Sequence, residues 1–203
     1  MTEITHLFTD LGGVLLTNGW DRGLRKLVAS HFGIDTDEMN ERHHLTYDTY
    51  ESGKIGLDEY LRRVVFYEPR SFTPEEVVAF MLGQARSFPD MIDLVCGLKE
   101  KHRLKVAVVS NEGRELTADR IERFDLKRFV DFFVVSSFVH FRKPDEDIFR
   151  LALDVAQADP ERVVYLDDRH MFTEVAGRLG MRAIWHRETA ETRAALAELG
   201  LNL

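Results

Sequence analysis

The chain has 203 residues, of which 44% are hydrophobic, and its formal net charge at pH 7 is −8. This length and apolar content predict a real hydrophobic core, in one domain with an insertion or in two small domains. Acidic and basic residues are mixed along the chain, which argues against a nucleic-acid partner, because nucleic-acid binding needs clustered positive charge. No apolar run reaches the length of a membrane span, so we expect no membrane partner either.

The cysteine content bears on the compartment. Cys96 is the only cysteine, so no disulfide can form within the chain. The first residues also lack the pattern of a signal peptide. Both observations favour the reducing cytoplasm.

A buried strand is predicted near the N-terminus. The apolar run 7–9 delivers Asp10, and Gly12 and Gly13 follow before the apolar run 14–16. A short apolar run closed by glycines is typical of a strand that ends in a tight turn. Asp10 then lies at the carboxyl end of a central strand, where open α/β sheets place their chemistry. The glycines let backbone N–H groups approach an anion, which favours a nucleophile facing a phosphoryl group. The alternative is an Asp that caps its own turn.

Helical patterns without a strand fill residues 21–88. Apolar residues recur at helical spacing, and Thr73-Pro74-Glu75-Glu76 forms a capping box. The predicted helices are 24–32, 36–51, 57–66 and 74–82. We predict that 21–88 is a helical cap inserted into a core formed by 1–20 and 89–203. The alternative is that these helices simply extend the core.

Helices and strands alternate in the second half of the chain. The predicted helices are 91–101, 114–124, 144–156, 172–179 and 189–199. The predicted strands are 104–110, 132–136, 163–166 and 182–185. This alternation predicts a parallel α/β sheet with right-handed crossovers.

Polar groups follow several of these strands on one rim of the sheet. Ser110 and Asn111 follow the second strand, Lys143 precedes a helix start, and Asp167 and Asp168 close a later strand. Each has a local explanation, such as a turn cap or a solvated lysine. However, a lysine at a helix start opposes the helix dipole, which favours an anionic partner. Adjacent carboxylates at a buried strand end repel each other unless positive charge is near, and with Asp10 they suit Mg²⁺.

These groups occur in the order of the four motifs of the haloacid dehalogenase superfamily, which the chain resembles over nearly its whole length. Asp10 lies in 8–14, Ser110 follows 106–109, Lys143 lies in 142–145, and Asp167-Asp168 follow 164–166. The last motif, with 176–181, looks most like the phosphatase domain of soluble epoxide hydrolase and the bacterial glucose-1-phosphate phosphatases. The order differs from that of response-regulator receivers. The resemblance implies a Rossmann-like core with a parallel sheet and an α-helical cap.

The resemblance also implies an activity, that of a Mg²⁺-dependent phosphatase acting on a small phosphorylated metabolite. Asp10 would attack phosphorus to form an aspartyl-phosphate, which water hydrolyses. Lys143 would neutralise the nucleophile and the charge that develops during in-line transfer. The implied phosphate-binding residues are Leu11, Gly12, Ser110, Asn111 and Lys143. The implied Mg²⁺ ligands are Asp10, the backbone carbonyl of Gly12, Asp168 and, through water, Asp167.

Two positions depart from the family pattern. Most phosphatases of this superfamily carry a second Asp, acting as general acid and base, where this chain has Gly12. General acid–base catalysis is typically worth on the order of 10²–10⁴-fold, so turnover is expected to be slow or to need another proton donor. Phe172 stands where relatives often place Asp or Asn in the second shell of the metal.

The cap offers replacements and substrate contacts. The candidate proton donors are His43, His44, Tyr47 and Asp48, and the candidate substrate contacts are Trp20, Arg42, Arg62 and Arg63. Solvated helix faces and packing explain the same residues.

Other functions remain open on sequence grounds. A haloacid dehalogenase would use the same Asp to attack carbon, but that family uses no metal and leaves Asp167-Asp168 unexplained. A non-catalytic binder of a phosphorylated ligand fits Gly12 and Phe172. In each case we expect a small-molecule partner and a monomer or homodimer.

Overall fold

A single parallel sheet organises the computed structural model, which describes residues 2–203. Within these residues the sheet has five strands in the order β3-β2-β1-β4-β5. The strands are β1 (His6–Thr9), β2 (Lys105–Ser110), β3 (Phe132–Val135), β4 (Val163–Asp167) and β5 (Arg182–Trp185). Strand β1 is central and pairs in parallel with both β2 and β4. The predicted parallel α/β sheet is therefore confirmed.

Ten helices accompany the strands in the described part of the chain. They are α1 (Arg22–Phe32), α2 (Thr36–Glu51), α3 (Leu57–Val64), α4 (Pro74–Gly83), α5 (Pro89–His102), α6 (Arg114–Arg123), α7 (Ser136–Val139), α8 (Glu146–Ala156), α9 (His170–Arg178) and α10 (Thr189–Glu198). Helix α4 begins with the predicted capping box, in which Thr73 and Glu76 each bond the other's backbone N–H. None of the helices within residues 2–203 is both long and apolar enough to cross a bilayer.

Hydrophobic clusters cover both faces of the sheet. Leu7 of β1 belongs to the cluster on one face and Phe8 to the cluster on the other, since successive strand residues point to opposite faces. A further cluster lies among α1–α4 and reaches the core through Leu116 of α6. We call residues 21–88 the helical segment. Its division from the rest of the chain as a cap stays a prediction.

The structure corrects two predicted boundaries. Helix α8 begins at Glu146, not at residue 144, because Asp145 has an extended backbone and its carboxylate accepts the N–H of Asp147 as an N-cap. Strand β3 ends at Val135, and Ser136 begins the short helix α7 instead of closing the strand. The other predicted helices and strands agree with the structure within about three residues, a normal uncertainty at element ends.

Candidate active site

The carboxyl ends of the central strands meet at one cavity. Asp10 follows β1, Ser110 ends β2 and Asp167 ends β4, which are neighbours in the sheet. The cavity has a volume of about 500 Å³, and Asp10, Gly12, Ser110 and Lys143 are among the residues that line it. This volume is in the range of small-molecule sites. The topology thus brings groups that are far apart in sequence to the edge where parallel sheets bind ligands.

A buried lysine joins two of the predicted carboxylates. Lys143 Nζ lies 3.1 Å from Asp10 Oδ1 and 2.7 Å from Asp167 Oδ2. It also donates to the Tyr165 hydroxyl at 3.1 Å, and that hydroxyl donates to Asp167. Burial lowers the pKa of the Lys143 ammonium, but Asp10 and Asp167 raise it, so the net shift is upward. Lys143 therefore stays positively charged.

Asp10 is the most perturbed carboxyl of this group. Burial raises its pKa to about 7, and Asp167 and Asp168 add to the rise, whereas Lys143 and a hydrogen bond from Ser110 oppose it. The N–H of Leu11 donates to Asp10 Oδ1 at 2.8 Å. Asp10 is therefore easier to protonate than an ordinary carboxyl, and additional positive charge beside it would favour the ionised form.

The three predicted acidic residues form a compact cluster. One carboxylate oxygen from each of Asp10, Asp167 and Asp168 lies within 4.8 Å of the other two. Burial also raises the pKa of Asp168, and Asp167 adds to this rise. Clustered carboxylates whose charge is not fully neutralised are a donor set that suits Mg²⁺, so these residues fit the predicted ion. A Cβ on Gly13, whose φ is +77°, would lie 2.3 Å from Asp168 Oδ2, so this approach requires glycine.

The remaining predicted site residues differ in whether they reach the cavity. Gly12, Ser110 and Asn111 line the cavity, whereas Leu11 is fully buried and its N–H is bonded to Asp10. The Asn111 side chain accepts from the Lys143 N–H and donates to the Lys143 carbonyl, both at 2.8 Å. Asn111 therefore fixes the backbone of the lysine. This role could not be read from the motif, because it depends on the loop that carries Lys143.

The structure shows what surrounds Gly12 and Phe172, the two positions that depart from the family pattern. A Cβ on Gly12 would lie 2.9 Å from Asn18 Oδ1 and 3.5 Å from Glu112 Oε1, so a larger residue there requires the Asn18 side chain to move. The Phe172 ring lies 5.0 Å from Lys143 Nζ. This is a cation–π contact, so Phe172 covers the lysine.

Sequence reasoning missed two ion pairs on the cavity wall. Glu112 is buried and pairs with Arg120, and burial raises its pKa against the effect of that arginine. Glu51 from α2 accepts from Arg142 Nε at 2.8 Å, across the boundary between the helical segment and the core. Arg142 stood inside a motif without an assigned role, and Glu51 looked like one more acid at a helix end. Neither sequence position indicated its partner.

Of the proton donors and substrate contacts predicted for the cap, some line the cavity and others do not. Trp20 and Tyr47 line the cavity. His43 lies inside the segment, 2.8 Å from the Tyr60 hydroxyl, and Asp48 is exposed and pairs with Arg142. His44 is exposed, and the lining does not include it. The candidate arginines are also outside the lining and pair with Glu38 or Glu59 on the surface; they are Arg42, Arg62 and Arg63.

The sheet and the lysine–carboxylate site at its carboxyl edge define a Rossmann-like α/β protein with a candidate active site. Comparison with known families gives the narrower assignment, because the family of haloacid dehalogenase-like hydrolases matches residues 4–176. The chain belongs to this family. The predicted superfamily membership and Rossmann-like fold are confirmed.

Individual relatives add detail. Bifunctional epoxide hydrolase 2 of Sus scrofa is 29% identical over 89% of this chain, and the match covers 36% of that protein. A phosphorylated carbohydrates phosphatase of Thermotoga maritima is 30% identical over 41% of this chain and 38% of its own length. The chain thus spans little more than a third of these relatives. A HAD family enzyme of Bacteroides thetaiotaomicron, solved with magnesium and inorganic phosphate, has a TM-score of 0.78 at 21% identity, covering 91% of this chain and 94% of that one.

Proposed function

We propose that the protein is a Mg²⁺-dependent phosphatase of a small phosphorylated metabolite and that it works through an aspartyl-phosphate on Asp10. The observation that carries this proposal is the position of the Asp10 carboxylate. It lies at the end of the central strand, on the cavity wall and 3.1 Å from the Lys143 ammonium. A carboxylate held beside a fixed cation at a ligand cavity is suited to attack a phosphoryl group.

The chain's own residues supply most of the steps. Asp10 attacks phosphorus, and the electron pair of the breaking bond passes to the leaving-group oxygen. Lys143 orients the nucleophile and offsets negative charge on the phosphoryl oxygens. Ser110 and the backbone N–H of Asn111 bind a phosphoryl oxygen from the neighbouring strand end. Water then hydrolyses the aspartyl-phosphate and restores Asp10.

The proposed metal ligands are Asp10, the Gly12 carbonyl and Asp168, with Asp167 acting through water. When bound, Mg²⁺ would neutralise phosphoryl charge at the nucleophile. The support in this chain is the acidic cluster itself, whose carboxylate oxygens lie within 4.8 Å of one another. The magnesium and phosphate in the Bacteroides enzyme are consistent with this assignment.

The wider setting is part of the same proposal. Residues 21–88 act as a cap over the core formed by 1–20 and 89–203, and the cap selects the leaving group. A small phosphorylated metabolite is the partner, without nucleic acid or membrane, and the protein works in the cytoplasm as a monomer or homodimer. The phosphatase name of the Thermotoga relative supports a phosphomonoester substrate.

Phosphate release from a panel of phosphomonoesters tests the proposal. The panel includes alkyl phosphates and p-nitrophenyl phosphate, each with Mg²⁺ and with EDTA. We expect release that needs Mg²⁺ and is lost in Asp10→Asn. Absence of release from every member by the folded protein would contradict a phosphatase. Halide release from 2-haloacids would then indicate a dehalogenase, and phosphate-ester binding without turnover would indicate a binder.

A further inference from the structure

One polar group from the helical segment stands out on the cavity wall. Tyr47 of α2 lines the cavity that also contains Asp10 and Gly12. Its ring is held by other aromatic rings, with centroid distances of 4.5 Å to His43, 5.9 Å to Tyr60 and 6.1 Å to Tyr50. These contacts fix the position of the ring. The chemistry that Tyr47 can offer therefore depends on its hydroxyl.

The other acidic groups on this wall already have partners. Glu51 is bonded to Arg142, and Glu112 is bonded to Arg120 and to the Thr117 hydroxyl. The Tyr47 hydroxyl takes part in none of the hydrogen bonds found within residues 2–203, although the hydroxyl of the adjacent Tyr60 does. The Tyr50 hydroxyl also lacks a partner among these residues, but Tyr50 is buried outside the cavity lining. Tyr47 is therefore available to a molecule in the cavity.

The surroundings of Tyr47 also fix its protonation state. Burial raises the pKa of its phenol well above the ordinary value, and the Glu51 and Glu112 carboxylates raise it further. The hydroxyl therefore keeps its proton throughout the neutral range and can act as a hydrogen-bond donor. By contrast, Gly12 has no side chain, and a Cβ there would already meet Asn18 at 2.9 Å.

We propose that Tyr47 is the proton donor to the leaving-group oxygen during transfer of the phosphoryl group to Asp10. This inference rests on the proposed phosphatase function. The bond from Asp10 to phosphorus forms as the bond to the leaving oxygen breaks, and the leaving oxygen takes the Tyr47 proton to become an alcohol. As the bond to phosphorus breaks, the leaving oxygen takes on the basicity of an alkoxide, which is a stronger base than an ordinary tyrosinate; burial narrows this difference because it raises the pKa of Tyr47. The water that later attacks the aspartyl-phosphate returns a proton to Tyr47.

Leaving-group dependence distinguishes a proton donor from a structural residue. An alkyl leaving group needs a proton, whereas p-nitrophenolate leaves without one. We would measure kcat/KM for p-nitrophenyl phosphate and for the best alkyl phosphate of the panel, because kcat/KM reports on steps up to the aspartyl-phosphate. In Tyr47→Phe we expect the alkyl-to-nitrophenyl ratio to fall on the order of 10²-fold. Both substrates are assayed with the same enzyme sample. A loss of folded protein therefore lowers both kcat/KM values equally and leaves their ratio unchanged.

The neighbouring tyrosines provide matched controls. Tyr50→Phe and Tyr60→Phe delete the same atom from rings that pack against Tyr47 but are not part of the cavity lining. We expect both to keep the wild-type ratio.

The other possible results contradict the role proposed for Tyr47. An unchanged ratio in Tyr47→Phe overturns this inference and leaves the phosphatase standing. The same holds if only His170→Gln, on the core side of the cavity, lowers the ratio, or if the wild type hydrolyses p-nitrophenyl phosphate and no alkyl phosphate. If no panel member is hydrolysed, the proposed function fails and Tyr47 has no role in it.

Discussion

The protein buries polar groups in two neighbouring regions, and it does so in opposite ways. At the strand ends it buries charges, with Lys143 between Asp10 and Asp167. In the aromatic cluster formed by Trp20 and the helical segment it buries uncharged groups: Trp20 Nε1 donates to the Tyr60 hydroxyl at 2.5 Å, and that hydroxyl lies 2.8 Å from His43 Nδ1. Burial lowers the pKa of His43 to about 3, so the imidazole stays uncharged.

In the proposed phosphatase, this difference would match the two ends of a phosphomonoester. The strand ends hold fixed charge where a phosphoryl group would be attacked, and charges in a water-poor site interact strongly with charge that develops there. The aromatic side offers packing and uncharged donors where an uncharged leaving group would lie. If this comparison is right, substitutions at the strand ends should affect stability and chemistry together, whereas substitutions in the helical segment should mainly affect packing.

The largest effect is expected from Lys143→Met. This change leaves Asp10 and Asp167 buried without their cation, and breaking a buried ion pair costs about 3–5 kcal/mol. Chemical denaturation should show this loss, and phosphate release should fall by more than 10²-fold because transition-state charge loses its partner.

A surface lysine provides the control for that change. Lys127 pairs with Glu122, and both side chains are mostly exposed. Lys127→Met should cost less than about 1 kcal/mol. Equal losses of stability in Lys143→Met and Lys127→Met would show that the buried ion pairs of Lys143 stabilise the protein no more than a surface ion pair does.

The contact between the two regions should be nearly as sensitive. A Cβ on Gly113 would lie 2.1 Å from Tyr50 Cζ, and the Tyr50 ring is itself stacked on Tyr60. Gly113→Ala should therefore destabilise the protein by about 2–3 kcal/mol through overpacking. Gly83 has open space around its Cβ position, so Gly83→Ala should be neutral or slightly stabilising in the same denaturation experiment. A neutral Gly113→Ala would mean that the helical segment is not seated against α6.

The ion pair across the boundary should matter less, because Arg142 is partly exposed. Arg142→Met leaves the buried Glu51 carboxylate without its cation and should cost about 1–2 kcal/mol in free energy of unfolding. Asp48→Asn removes the exposed partner of the same guanidinium, at 2.8 Å, and should change stability by less than about 0.5 kcal/mol. If Asp48→Asn lowered the free energy of unfolding as much as Arg142→Met does, burial of Glu51 would not account for the stabilising effect of Arg142.

At neutral pH the smallest effect should come from His43, whose contribution to stability is a dependence on pH below neutrality. The pKa of His43 is about 3 in the folded protein against an ordinary value of 6.5, so the unfolded chain binds the proton more tightly. The neutral side chain favours folding above pH 6.5, and this contribution is lost as the pH falls toward 3. Thermal unfolding across that range should show a shallower pH dependence in His43→Gln than in the wild type. An unchanged pH dependence in His43→Gln would contradict a buried, uncharged imidazole at this position.

The two regions also differ in how much of them the sequence predicted. Asp10, Ser110 and Asp167 each follow or end a strongly apolar strand, and Lys143 precedes a predicted helix start. The parallel topology then dictates that strand ends meet at one edge. Local patterns and chain order were therefore enough to predict that these groups lie together.

The aromatic side of the cavity could not be predicted in the same way. Tyr47 and Glu51 owe their positions to how α2 packs against α3 and against the core, and residue spacing does not determine that packing. The same limit applies to Gly12 and Phe172. Their neighbours Asn18 and Lys143 are distant in sequence or lie on other elements, so the structure was needed to explain both.

Trapping of the covalent intermediate tests the nucleophilic role of Asp10 most directly. Borohydride reduction during turnover converts an aspartyl-phosphate to homoserine, which mass spectrometry locates in the chain. We predict conversion at Asp10 only, dependent on both substrate and Mg²⁺, and none at Asp167 or Asp168. Phosphate release without modification of Asp10, or modification at another carboxylate, would contradict an aspartyl-phosphate on the central strand.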